Sequence, residues 1–312
     1  MPHFNGTYEV YMSNEKLNQF IERIYSFHEV ARITKDDIPG DCKFIADPFI
    51  HYDSANKLWV LFAEVAFPAR RQFIGTLTSS DLREWNYRAD AVKGSRESFP
   101  FITQTEGYYL MMPCVDASSA PGLVSFYKSE SLLGPWSLIS QFVLRNRISD
   151  RVLVPSRENK RYFMIYGKKN KMSSVLSYLE ITFSPDNSRI NLGRARSLLS
   201  NRLIPHLQKI LTGRPRLVMR PAGSLIPAED GFFMPIQGTS KGRYGECFAL
   251  SHIHLEDDEI IFLGYEFIKI KRLCPELVAS HHFSFCRYEN SEVFVIDGCM
   301  ENSDWEVRVF AR

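Results

Sequence analysis

The chain has 312 residues, 38 of them basic and 36 acidic, for a formal net charge of +2. That balance gives no electrostatic case for nucleic acid or an anionic membrane, since both leave a clustered basic face on the protein that binds them. Aromatic residues make up 13% of the chain beside 17 Gly and 16 Pro, a mixture that favours strands and turns over helical repeats.

Met1–Gly6 lacks the charged and apolar regions of a signal peptide, and nowhere is there a run of about 18 apolar residues that would span a membrane. The expected location is cytoplasmic, and the six scattered cysteines, with no CxxC pair, are expected as free thiols rather than disulfides or zinc ligands. Asn14–Glu29 sets Leu17, Phe20, Ile21, Ile24 and Tyr25 at helical spacing and predicts a short amphipathic helix.

Five segments then repeat one pattern: a polar or small residue, often with Pro, an apolar strand, a polar turn and a second apolar or aromatic strand. Ala46–Ile50 turns into Leu58–Phe62, Phe99–Ile102 into Tyr108–Met111, and Val152–Pro155 into Tyr162–Tyr166. Leu198–Leu211, interrupted by Pro205, predicts a small helical insertion. After it, Arg220–Ile226 turns into Phe232–Met234 and His282–Phe285 into Val293–Ile296. A recurrence of about 50 to 70 residues fits four short strands plus loops. The fold class is therefore all-β, a five-bladed β-propeller, with a two-sheet sandwich as the alternative. One domain is expected over 1–312, with 1–43 as helix and lead-in and blades near 44–95, 96–148, 149–196, 215–265 and 278–310.

In a propeller the inner strands line a central channel, so polar residues at the blade starts become candidates for one site. These are Asp47, Ser98, Asp150, Arg220, and His281 or His282, of which a pleated strand would turn only one inward. Each has a plainer reading: an Asx turn for Asp47, a pair with Arg151 for Asp150, a blade-junction lock for Arg220. Cleavage of a glycosidic bond needs two carboxyl groups about 5–10 Å apart with one kept protonated. Asp47 with Asp150, or with Glu246 behind Arg243-Tyr244-Gly245, would supply such a pair, and Arg220 would clamp an anionic group. Trp59 or Tyr244 would stack on a sugar face if exposed at the channel mouth. No metal or cofactor is expected.

Ala46-Asp47-Pro48-Phe49, Phe99-Pro100-Phe101, Ser131–Trp136, Arg220–Gly223, Arg243-Tyr244-Gly245 and Val295–Gly298 together resemble the five-bladed propeller of glycoside hydrolase family 43. More narrowly they resemble the N-terminal domain of glucosamine inositolphosphorylceramide transferases and its bacterial relatives. The resemblance implies a base or nucleophile at Asp47, while Phe101 follows Pro100 where the family carries a pKa-modulating Asp, and Asp150 is the nearest carboxylate for the acid in blade three. Glu64 keeps the Glu that ends the second strand of blade one in the narrower relatives; Cys114 replaces its counterpart in blade two. The expected function is glycoside hydrolase-like, with Asp47, Asp150 and Glu246 catalytic and Glu64, Arg220, Arg243, Tyr244 and His282 binding a small-molecule or glycan substrate. The alternatives are a non-catalytic glycan-binding propeller serving a separately encoded glycosyltransferase, or acid/base work on a small biosynthetic intermediate.

Overall fold

A computed structural model describes residues 16–92, 96–105, 107–115, 122–156, 161–169, 174–184, 190–200, 215–239, 245–256, 259–302 and 304–312. These residues form five antiparallel sheets, each built from strands consecutive in the chain except the last. The first sheet holds Phe44–Asp53, Leu58–Phe67, Arg71–Ser79 and Asn86–Val92, and the second holds Glu97–Thr105, Tyr108–Val115, Leu123–Ser129 and Ser137–Val143. Ile148–Pro155, Arg161–Lys169, Ser174–Phe183 and Ile190–Leu192 make the third, and Arg216–Pro221, Gly231–Thr239, Cys247–Glu256 and Glu259–Phe267 the path of the fourth.

The fifth sheet explains how the ring closes. Phe283–Tyr288, Ser291–Cys299 and Trp305–Ala311 supply three strands, and the outer strand is His28–Ile33 from the start of the described chain. His28 faces Ala311 and Ile33 faces Val307 in antiparallel register. Arg308, fully buried, locks the join by pairing with Glu29 at 2.7 Å and Glu276 at 2.8 Å. The expected lead-in therefore belongs to the last blade, and the helix covers 16–24 rather than reaching Glu29. Its apolar stripe of Leu17, Phe20, Ile21 and Ile24 is buried, with Phe20 5.0 Å from Phe233 of the fourth sheet and 5.6 Å from Phe285 of the fifth.

The predicted helical insertion is corrected at its start. Arg196–Ser200 is a strand pairing with Ser174–Phe183, along the part of that edge, 175–178, which Ile190–Leu192 leaves open. Residues 201–214 of that expectation lie outside the described residues. The sandwich alternative is overturned by the five separate sheets.

Four inner strands break register near the same level. Ala46 faces Glu64 and then Phe49 faces Phe62, leaving Asp47-Pro48 out of the ladder. Ser98 faces Cys114 and then Phe101 faces Met112, Ser149 faces Gly167 and then Arg151 faces Tyr166, and Leu217 faces Gly238 before Pro221 faces Ile236. Proline, lacking an N–H, suits a bulge, and the left-handed φ of Asp47 (49°), Phe99 (47°) and Met219 (61°) marks the turned-out residues. A bulge re-aims a side chain, so four blades each direct one toward a shared region.

Candidate functional site

The unpaired residues at these breaks are Asp47-Pro48, Phe99-Pro100, Asp150 and the segment 218–220, and several of them meet. Asp150, 4% exposed, accepts from Arg220 at 2.6 Å and from Gln237 Nε2 at 3.2 Å. Arg220 reaches across the third sheet because Gly167 leaves room: a Cβ there would lie 2.5 Å from Ser149 Oγ and 3.0 Å from Arg220 Cγ. Asp150 thus takes its cation from the next blade. Its neighbour Arg151 is fully buried and donates instead to the carbonyls of Pro113 at 2.7 Å and Leu123 at 2.9 Å, tying the second and third sheets together.

Both histidines face Asp47, which corrects the expectation that one would turn away. His281 Nε2 lies 3.6 Å and His282 Nδ1 3.4 Å from Asp47 Oδ1. They precede the strand that begins at Phe283 and so escape its pleat; their main-chain N–H groups both donate to Asp297 Oδ1 at 3.0 Å, curling the backbone around that carboxylate. Asp297 Oδ2 lies 2.9 Å from His281 Nδ1 and accepts the Asp47 N–H at 3.4 Å. Sequence reasoning named Asp297 only inside a resemblance motif; the available signal was an acid between buried β-branched residues and glycine, a position that a core tolerates only when its charge is answered. Gln72 and Gln237 were missed for want of any motif.

The electrostatics separate the acids. Burial favours the neutral form of Asp47, yet the hydrogen bond from His282 and the charges of His281, His282 and Arg220 hold its carboxyl at about 2. Burial pushes Glu64 well above the usual carboxylate range, and the neighbouring Asp47 charge adds to this. Asp150 is also raised, by burial against the pull of Arg220 and with the push of Asp47. Burial opposes charging of His281, but Asp297 and Asp47 together raise it above its ordinary value. Asp47, His281 and Asp297 bring three buried atoms within 4.8 Å of one another, with the imidazole between the two acids, so a protonated ring answers both charges. A second trio, Glu29, Cys274 and Glu276, has only its cysteine buried, and the Arg308 guanidinium pairs with both of its acids.

Blade two contributes walls rather than charge. By register, Phe99 and Cys114 stand where the first blade has Asp47 and Glu64. The Phe99 ring packs 5.1 Å from Phe49 and 5.3 Å from His282, and burial pushes the Cys114 thiol to about 12. Glu246 accepts from Thr239 Oγ1 at 2.6 Å, and its charge acts on the Cys247 thiol. Arg243 and Tyr244 lie outside the described residues. Trp59 is not a sugar platform; it is 6% exposed and packed 5.0 Å from Tyr52 in the core. A separate cavity of about 840 Å³ lies between the first two sheets, lined by Tyr87, Asp90, Tyr127 and Trp136 among others, and its one carboxylate is already hydrogen-bonded by Tyr87.

No family model matches the sequence, and no curated protein matches it. Solved structures do. A β-1,2-mannobiose phosphorylase from Listeria innocua aligns with a TM-score of 0.63 at 12% identity, over 89% of this chain and 93% of that one. A thermostable family-43 glycoside hydrolase aligns with a TM-score of 0.61 at 14% identity, over 89% and 91% of the two chains. An endo-arabinase from Bacteroides thetaiotaomicron gives 0.61 at 13% identity, over 89% and 95%. The shared feature is the fold. This chain has the five-bladed propeller of the family-43 type, and its charged groups gather at the inner-strand breaks of that ring. Among the described residues no helix is long and apolar enough to cross a membrane.

Proposed function

We propose that the protein is a carbohydrate-active enzyme that acts on a glycosidic bond at the inner-strand breaks by carboxylate acid/base chemistry. Asp47 is the base or nucleophile, Asp150 the acid, and Arg220 and His282 orient the substrate. The observation that supports this reading is the meeting of an acid held ionised, Asp47, with a second acid pushed toward its neutral form, Asp150, in one buried, arginine-bearing cluster. Paired acids driven apart in this way take opposite proton-transfer roles. The sugars of the structural neighbours provide the panel: 1,5-α-arabinan fragments, β-1,3-galactotriose, and β-1,2-mannobiose with and without inorganic phosphate. Asp47→Asn and Asp150→Asn are each expected to lower turnover roughly 10²–10⁴-fold, and full turnover in both variants overturns the reading.

A second reading has one observation in its favour. With Phe99 and Cys114 in blade two, the chain lacks charge where blade one has it, as a glycan-binding propeller would. Such a protein would serve a separately encoded glycosyltransferase, in keeping with the resemblance to the propeller domain of inositolphosphorylceramide transferases. Calorimetry separates the two: saturable heat with a panel sugar and no product favours binding alone.

A further inference from the structure

We propose that the cavity of about 840 Å³ between the first two sheets is a second binding site, for a short neutral oligosaccharide, apart from the charged cluster at the inner-strand breaks. The site is independent of the role proposed for Asp47.

The cavity's volume falls within the range of about 300–1,000 Å³ in which small ligands are held. Residues 87–92, on the outermost strand of the first sheet, make one wall, and Tyr127 with the loop 133–136 of the second sheet makes the other. Among the described residues, none that lines it belongs to an inner strand. A regular strand turns successive side chains to opposite faces, but here Arg88 and Ala91 stand outside the ladder: Tyr87 faces Leu77, Ala89 faces Thr76, Asp90 faces Gly75 and Val92 faces Ile74. Each bulge resets the alternation, so neighbouring residues share the wall.

Flat rings and a balanced pair of charges line the space. Tyr87, Tyr127 and Trp136 offer aromatic faces to the C–H faces of sugar rings, and the Trp136 ring is braced edge-on against Phe62 of the first sheet, 6.0 Å away. Tyr87 donates to the Asp90 carboxylate and Tyr127 to Glu97 Oε1 at 3.4 Å, which holds both rings in place. A carboxylate accepts several donors, so Asp90 keeps lone pairs for ligand hydroxyls, and the exposed Arg88 brings donors to the same wall. Their charges cancel, which suits a neutral polyol better than an ammonium or a carboxylate.

A buried donor without an acceptor points the same way. Trp85 and Trp136 each stand immediately before the fourth strand of their sheet. The Trp85 indole N–H donates to the Leu82 carbonyl at 3.0 Å. In the second sheet the loop runs over 130–136, against 80–85 in the first, and Trp136 Nε1 is buried with no acceptor among the described residues. Folded chains seldom leave such a donor unanswered, and a sugar hydroxyl in the adjoining cavity would accept from it.

In protein carrying ¹⁵N, the indole N–H signals of the four tryptophans are followed by NMR during titration with β-1,3-galactotriose, β-1,2-mannobiose and a 1,5-α-arabinan fragment in turn. Absence from Trp136→Phe assigns the Trp136 signal. The expected result is a saturable shift of that signal with at least one sugar, unchanged in Asp150→Asn and with roughly tenfold weaker binding in Asp90→Asn. No shift with any of them overturns the proposal even if a sugar is turned over at the centre; a shift in a protein that turns over none supports it and fails the catalytic reading alone. Loss of the shift in Asp150→Asn traces it to the central cluster and overturns the site. A shift with tetramethylammonium alone overturns it in favour of a cation cage. Should Trp136→Phe not fold, calorimetry with the same sugars decides: heat of binding undiminished in both Arg88→Ala and Asp90→Asn, or absent from the wild type, overturns the proposal.

Discussion

Asp47 carries more of the molecule's acid behaviour than its size suggests. Its folded carboxyl sits at about 2 against an ordinary 3.8, so its contribution to stability is present above the ordinary value and lost as pH falls through the folded one. The difference is worth about 2 kcal/mol. Urea unfolding at a series of acidic pH values is expected to show the wild type losing more stability between about pH 4 and about pH 2 than Asp47→Asn does, by about that amount. Glu64 acts with the opposite sign: raised on folding, it stabilises below the unfolded value and loses that contribution as pH rises through the folded one. The sequence made Asp47 legible because an Asp-Pro at a strand start breaks the ladder visibly. It could not reveal that His281 and His282 both turn toward that acid, since two adjacent residues share a face only where the backbone leaves the pleat. Nor could it reveal the Thr239 hydroxyl that donates to Glu246.

The elements meet through glycines and buried cations as well as through apolar faces. Gly223, with φ of 144°, lies so close to the fifth sheet that a Cβ would stand 1.7 Å from the Phe283 carbonyl oxygen. Gly223→Ala is therefore expected to part the fourth and fifth sheets locally, with a marked fall in Tm and faster amide exchange at Ser224 and Phe283, whose N–H groups bond across the junction. Between the second and third sheets, Arg151→Met would leave the Pro113 and Leu123 carbonyls without their donor. Chemical denaturation is expected to register roughly 1–3 kcal/mol for each orphaned group. Hairpins are the part of the fold that the sequence states most openly, because apolar runs around a polar turn are local. Arg196–Ser200 shows the limit: a leucine-rich stretch has helical and strand readings alike, and the open edge of the third sheet, a distant feature, decides between them.

Across the whole molecule, five repeats were readable while the seam between first and last was not, because His28–Ile33 carries no sign of the partner to which it pairs. Deleting 28–33 is expected to leave Val307 and Val309 on an open edge and Arg308 without Glu29, giving lower thermal stability and concentration-dependent association by size-exclusion chromatography. The same seam has a kinetic side. Residue 28 faces residue 311, so the outermost pairing of the fifth sheet closes the longest loop of any strand pairing among the described residues. Pairings of such sequence separation form late, after the loop entropy has been met by more local contacts. On the ribosome, four sheets can assemble while His28–Ile33 waits unpaired, and the ring acquires its final form only after Trp305–Ala311 has emerged. The central acids, drawn from the first, third and fifth sheets, are then placed together by the last step of folding.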